Sequence, residues 1–368
     1  MLLYINGNYP HHSLHCELVS KLADLGNFIT VFVPMKGTAF EKKYCCEHPK
    51  VQIIYKDCVK TMDRVFFLRK ILRIVNIIEK EIDMTRIDSI LAGTVYSDGL
   101  VAYMLSKKYN IPFSIAVRET DVTYQMKWRP YLNTLVKKLL ERATNIIFIS
   151  PAYRTYLDRF NCSEKKYVII PNAVNDYWFS NRIQQREKHD PISIIYVGEI
   201  SKRKNVLTTI LAIEELKKRG INAVFHIVGT GTEEDTCKGK AKLLGIEKQV
   251  FFHGWQNGKD KIKMYYDQAD IFVMPSYRET FGTVYVEAIS QGIPIIYTKG
   301  QGIDGYFEDG SVGYKCNPDD PYEIATLIQT IMVDYHQMSE RCINVSQDFS
   351  WEIIAKKYNN VIEHMGII

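Results

Sequence analysis

Glu279 and Glu287 are separated by seven residues and enclose Thr280, Phe281, Gly282 and Thr283. An apolar run over 271–274, closed by Pro275 and Ser276, precedes them and reads as a buried strand. Residues 288–296 follow as a helix end, a turn at Gly292 and a second buried strand. The spacing therefore predicts a strand, a short loop and a helix carrying carboxylates. The amides around Phe281, Gly282 and Thr283 open that helix, where unpaired N–H donors and the helix dipole favour an anion. Gly282 lets a ligand come close to the backbone. Carboxylates cannot serve the anion itself; they accept hydrogen bonds from hydroxyls on either side of it. That chemistry suits a nucleotide sugar, with sugar hydroxyls on one side, phosphates at the helix start and ribose hydroxyls on the other.

The segment from Ala269 to Ala288 resembles the E-x7-E signature of the retaining glycosyltransferases of family 4, which have the GT-B fold. The similarity continues along the chain in the family's order. Residues 197–205, with Gly198, Lys202, Arg203 and Lys204, resemble the first loop of the family's C-terminal domain. Residues 226–231, with Gly229, resemble its V-G-x-G turn, and residues 250–254, ending on Gly254, its V-x-F-x-G strand end. Residues 169–174 resemble the segment that leads from one domain to the next. The resemblance covers essentially the whole chain and is strongest from about residue 143 onward.

Elements able to position these residues are readable from periodicity. Strand-like runs fall at 2–5, 29–33, 51–55, 89–91, 113–117 and 145–149, and again at 193–197, 223–228, 250–252, 271–274 and 294–297. Helical stretches over 14–25, 132–142, 207–219 and 322–333 lie between them. Alternation of this kind predicts α/β architecture with parallel sheets covered on both faces. Two series predict two Rossmann-like domains, whose ligands bind beyond the carboxyl ends of the strands in a central cleft. We expect an N-terminal acceptor-binding domain over 1–171, joined by a terminal helix over 352–368, and a nucleotide-sugar-binding domain over 176–350.

Bulk properties bound the function. The chain has 368 residues, enough for two cores, with 46% hydrophobic and 24% charged residues. Eight scattered cysteines include no C-x-x-C, which fits reduced thiols in a cytoplasmic setting. The apolar N-terminus is too short for a secretory leader and reads as a first strand. No apolar run is long enough to span a membrane. Net charge is +5, but residues 1–171 hold 25 Lys/Arg against 16 Asp/Glu, whereas the remainder holds 22 against 26. A basic first half points to an anionic surface or substrate. Residues 64–80 have helical periodicity, with Phe67, Ile71, Ile74 and Ile78 on one side and basic residues interleaved. Such a helix suits peripheral contact with anionic lipid; an ordinary core helix with a solvated basic face explains the pattern equally well.

The resemblance assigns roles. Lys204 matches a lysine that contacts the donor diphosphate, whereas the family's arginine position holds Glu199, so Arg203 is the candidate replacement. Glu279 would lie against the donor sugar and Glu287 against the ribose. Gly254, Trp255 and Gln256 should border the base, with Trp255 as plain core the rival reading. In the first domain Gly7 keeps one of the family's two adjacent glycines and is a candidate phosphate neighbour. Arg118 stands where many relatives have a histidine and Asp121 where they have an aspartate, which makes both acceptor-side candidates. His11, His12 and His15 remain unassigned. No Asp-x-Asp lies between strand and turn, and Asp319-Asp320 reads as a helix cap. A metal-free mechanism with no cofactor is therefore expected.

These readings converge on a retaining transfer from a nucleotide-diphosphate sugar, most often UDP-linked in relatives. The acceptor is a saccharide, lipid-linked at the inner membrane face, in cell-surface polysaccharide or lipopolysaccharide assembly. No nucleic-acid partner is implied. A nucleotide-sugar epimerase on the same scaffold and a non-catalytic binding or scaffold protein remain as alternatives. A nicotinamide dehydrogenase is disfavoured because no G-x-G-x-x-G follows the first strand.

Overall fold

A computed structural model describes residues 1–11, 13–37 and 46–365. His12 and positions 366–368 of the expected terminal helix lie outside the described residues.

The chain divides into two compact units. The first comprises Met1–Ile149, Tyr153–Asn172 and Trp351–Ile368; the second comprises Ser150–Ala152 and Ala173–Ser350. Each unit is built on one parallel sheet. In the first, β1 (Leu2–Ile5), β2 (Ile29–Met35), β3 (Val51–Asp57), β4 (Ser89–Ala92), β5 (Phe113–Val117), β6 (Asn145–Phe148) and β7 (Tyr167–Ile169) run in the order β3-β2-β1-β4-β5-β6-β7. In the second, β8 (Ile192–Val197), β9 (Ala223–Val228), β10 (Val250–Phe252), β11 (Ile271–Met274), β12 (Ile295–Thr298) and β13 (Gly313–Cys316) run in the order β10-β9-β8-β11-β12-β13. Both orders reverse beside the first strand of the series, and all neighbours pair in parallel.

Central strands are buried and mostly apolar, as expected where helices cover both faces of a parallel sheet. All seven residues of β2 and all four of β11 are buried. The helix Phe67–Glu81 turns Phe67, Ile71, Ile74 and Ile78 into the core of the first unit, as its periodicity required. In the same unit the helix Trp351–Met365 packs on Ser13–Asp24, next to a hydrogen bond of 2.7 Å from Asn27 Nδ2 to Asn359 Oδ1.

The structure adds two strands to the expected set, β7 and β13, each at a sheet edge. An edge strand pairs on one side only, so three or four residues suffice and the apolar signal is weak. β7 is only half-buried, and β13 begins on a glycine. Cys58, Cys237, Cys316 and Cys342 are buried thiols, and no described helix is long and apolar enough to cross a membrane.

Candidate active site

In the second unit three loops at the carboxyl ends of β8, β9 and β11 carry the expected residues. Gly198 follows β8, and the loop then turns through Lys202, Arg203 and Lys204 to Asn205, which adopts a left-handed φ of 55°. The Asn205 side chain holds that turn by donating to the carbonyl oxygens of Pro275 (3.1 Å) and Pro318 (2.7 Å). A backbone bond of 2.9 Å from Tyr277 N–H to Arg203 O ties the same turn to the loop after β11. These bonds bring Lys204 to Glu279 although the two are distant in sequence. The Lys204 ammonium is ion-paired with the Glu279 carboxylate, both side chains being largely buried, and Arg203 Nη1 lies 3.9 Å from the same oxygen.

The loop after β11 ends on Gly282, whose φ of 79° opens the helix Thr283–Ser290. A Cβ at Gly282 would lie 2.5 Å from the Tyr285 ring, so backbone conformation and space both require glycine. Thr280 and Thr283 are half-buried beside it, and Gly282 is the capping residue with no side chain to satisfy the first amides. Phe281 points inward, its ring packed edge-on to Tyr306 at 5.8 Å, so only its backbone is available to a ligand. One helical stretch further on, Glu287 is half-buried. Burial pushes its carboxyl up to about 7, opposed by the Lys259 ammonium and by the Trp178 and Tyr266 side chains.

Gly229 is the tightest point of the neighbouring turn. Its φ is 140°, and a Cβ there would lie 1.9 Å from the Gly198 carbonyl oxygen, so the loops after β8 and β9 touch backbone to backbone. Its N–H donates to Gly254 O at 2.8 Å, which adds the loop after β10 to the group. Trp255 in that loop is 71% exposed, which removes the core reading of this residue. Gln256 folds back, donating from Nε2 to the His253 carbonyl at 2.8 Å. Glu199, where the family arginine was expected, is exposed.

The first unit contains a cavity of about 580 Å³ at the carboxyl ends of its strands. Gly7 and Asp121 line it together with Lys70, Ser97 and Asp98, none of which the sequence singled out. Asp98 is fully buried and accepts from Gly7 N–H at 3.4 Å and Thr94 Oγ1 at 3.1 Å. A phosphate at Gly7 would therefore face a carboxylate, so this cavity suits hydroxyls better than the donor phosphate the glycine suggested. Burial raises Asp98 to about 6, the Lys70 ammonium opposing; burial also raises Asp121 to about 7. Asp121 accepts from the backbone N–H groups of Arg118 (3.1 Å) and Tyr96 (3.4 Å), and Arg118 Nε donates to Gly93 O at 2.8 Å. Both acceptor-side candidates thus brace the cavity wall. The Tyr96 hydroxyl is buried with no partner among the described residues, and Lys70 Nζ donates to Ser97 Oγ at 2.7 Å. His11 lies at the rim, whereas His15 is buried and shares a hydrogen bond of 3.0 Å with Tyr4.

Comparison with known proteins places this geometry. The family described as glycosyltransferase family 4 matches residues 15–177, and that described as glycosyl transferases group 1 matches residues 179–349. An uncharacterized glycosyltransferase of Methanocaldococcus jannaschii is 29% identical over 225 residues, covering 56% of this chain and 57% of that protein. The lipopolysaccharide core biosynthesis glycosyltransferase LpsE of Rhizobium meliloti is 30% identical over 141 residues, 38% of this chain and 39% of its own. Anabaena HepE, solved in complex with UDP, superposes with a TM-score of 0.75 at 17% identity, covering 99% of both chains. That likeness shows the GT-B fold, and the two family matches together span nearly the whole sequence. The chain belongs to glycosyltransferase family 4.

Proposed function

We propose that the protein transfers a sugar from a UDP-linked donor to a saccharide acceptor with retention of anomeric configuration, using fixed cations in place of a metal ion. One observation carries the reading: Lys204, Arg203, Glu279 and the open helix start at Gly282 converge at the strand ends of one unit. In the transfer, the bond from the anomeric carbon to the diphosphate oxygen breaks as the acceptor oxygen bonds to that carbon on the same face. The acceptor proton passes to the departing phosphate oxygen. Negative charge grows on the diphosphate, where the Lys204 ammonium, the Arg203 guanidinium and the amides of Gly282 and Thr283 stabilise it. Glu279 accepts from a sugar hydroxyl and orients Lys204, Glu287 accepts from the ribose, and the exposed Trp255 borders the base.

The acceptor binds the first unit, in whose cavity Asp98 and Lys70 supply an acceptor and a donor for hydroxyls. Its lipid linkage at the inner face of the cytoplasmic membrane, in polysaccharide or lipopolysaccharide assembly, is supported by the basic first half and by the likeness to LpsE. A panel of nucleotide diphosphates titrated into the purified protein tests the donor assignment. UDP should raise the melting temperature and Glu287→Ala should abolish the rise. Turnover should persist in chelator; complete loss that manganese restores would overturn the metal-free reading. Hydrolysis or epimerisation of UDP-sugar incubated alone, followed by nuclear magnetic resonance, would replace transfer with another reaction.

A further inference from the structure

Two segments of the first unit combine features that seldom coincide on a solvated surface. Residues 59–78 hold five Lys/Arg and one acid, Asp63, which is buried and paired with Arg73. Residues 122–138 hold four Lys/Arg and no acid at all. No exposed carboxylate therefore neutralises either segment from within. Both also present large apolar side chains. In the first, Met62, Val65, Phe66, Leu68 and Leu72 are exposed, Val65 by 68%. The helix Phe67–Glu81 has buried its core stripe already, so Leu68 and Leu72 lie outside the packing that stabilises it. In the second, Trp128 is 65% and Tyr131 62% exposed, with the Tyr124 ring tilted against Trp128 at 6.2 Å between centroids.

The segments are one surface. Arg129 packs its guanidinium 4.5 Å from the centre of the Phe67 ring, joining the loop after the π-helical turn Asp121–Gln125 to the start of the helix. Arg69 covers Phe66 at 4.8 Å in the same way. The two segments also share the cavity: Val59 and Lys70 from one, Gln125 from the other, line it.

We propose that this surface docks on an anionic lipid bilayer and sets the mouth of the cavity against the headgroup layer. The proposal rests on the reading of a lipid-linked acceptor and names the surface through which that acceptor is reached. Charge complementarity selects the occupant. Exposed Arg64, Arg69, Lys127, Lys137 and Lys138 match anionic headgroups, while Phe66, Leu68, Leu72, Trp128 and Tyr131 enter the interfacial zone where aromatic rings reside. Arginine stems lying along rings keep their charged ends at headgroup level. A protein partner would need a matching acidic and apolar face, and a second copy of this chain offers the same basic surface, which repels. A short lipid-linked saccharide then reaches Asp98 and Lys70 without leaving the membrane.

Cosedimentation of the full chain with vesicles of phosphatidylglycerol and phosphatidylethanolamine tests this directly. Binding is expected at low salt, with weakening in high salt and near-absence on phosphatidylcholine vesicles. Removing two charges in Arg64→Ser/Arg69→Ser should lower the partition coefficient about 25-fold, roughly fivefold per charge. Trp128→Ser should lower it about tenfold, because its ring leaves the interface. Absence of vesicle binding at low salt overturns the proposal. So do equal binding to neutral vesicles, wild-type partition of both variants, and self-association abolished by the same substitutions. The melting shift with UDP, measured on the same preparations, reports the donor site separately. A retained shift with lost vesicle binding confines the failure to this surface, and the reverse confines it to the donor assignment.

Discussion

The strand ends of the two units carry opposite electrostatic designs on the same sheet topology. In the second unit the loops after β8 and β11 present cations and open amides, with Lys204 and Arg203 grouped on Glu279 at a glycine-started helix. In the first unit the corresponding region is lined by buried carboxylates, Asp98 and Asp121, already fed by backbone N–H donors. The first arrangement favours a polyanion, because its positive groups lose their partner only when a stronger one arrives. The second favours hydroxyls, which can both donate to a carboxylate and accept from Lys70. The basic residues of the first unit lie mainly on its exterior, so net charge alone conceals the acidity of its interior. On the function proposed above, one scaffold would separate phosphate chemistry from hydroxyl recognition by the sign of the groups at the strand ends.

The contrast breaks most sharply at Lys204. Lys204→Ala removes the principal cation and leaves Glu279 largely buried without it. We expect kcat/KM to fall roughly 100- to 1,000-fold, with UDP affinity reduced in calorimetry. A loss below tenfold would move diphosphate stabilisation elsewhere.

Glu287 sharpens the donor side through pH. Its carboxyl stands at about 7 in the fold against an ordinary value of 4.5, so ionisation is disfavoured in the native state. The sign follows: native stability from this group is highest below 4.5 and declines as pH rises through 7. On the proposed role of Glu287, acceptance of ribose hydroxyls by the ionised form would grow over the same window. Glu287→Gln should weaken UDP binding about tenfold at pH 8 and much less at pH 5.5, where the wild-type group is already protonated. A pH-independent difference between the two proteins would remove ribose recognition from this residue.

The smallest effect belongs to the acceptor side. Asp98, raised to about 6 by burial, also destabilises the native state as it ionises. Asp98→Asn should therefore gain a few degrees of melting temperature relative to wild type between pH 4 and 6, with the gain flat above that. Its UDP-induced shift should equal the wild type's. A diminished shift would show that the two regions are not chemically separate.

How much of this was legible varies with the range of the interaction. The strand-loop-helix at 271–290 was readable because hydrophobic period, Gly282 and the flanking carboxylates lie within twenty residues or so. The cap at Asp320 was readable for the same reason, and its side chain accepts from Tyr322 and Glu323 N–H at 3.0 and 2.9 Å. The edge strands β7 and β13 were not, since half-buried strands carry little apolar signal. The exposed aromatic surface over 124–131 was also missed: it runs from the end of a π-helical turn through two three-residue helical pieces, so no 3.6-residue period is sustained. Trp255 could be read as core or as ligand contact from its type alone, and only its exposure decided.

What the sequence determined by itself is local: alternating strands and helices, the glycine turns, the cap residues and the grouping of charge by segment. Backbone propensity and side-chain period act over a few residues, so they are written in order along the chain. Tertiary structure decided the partners. Lys204 meets Glu279 across 75 positions, and Gly7 meets Asp98 across 91. Those distances are set by parallel crossovers that return each strand end to the same edge of the sheet. Desolvation follows from that packing, and with it the raised carboxyls of Asp98 and Asp121 in the first unit and of Glu287 in the second.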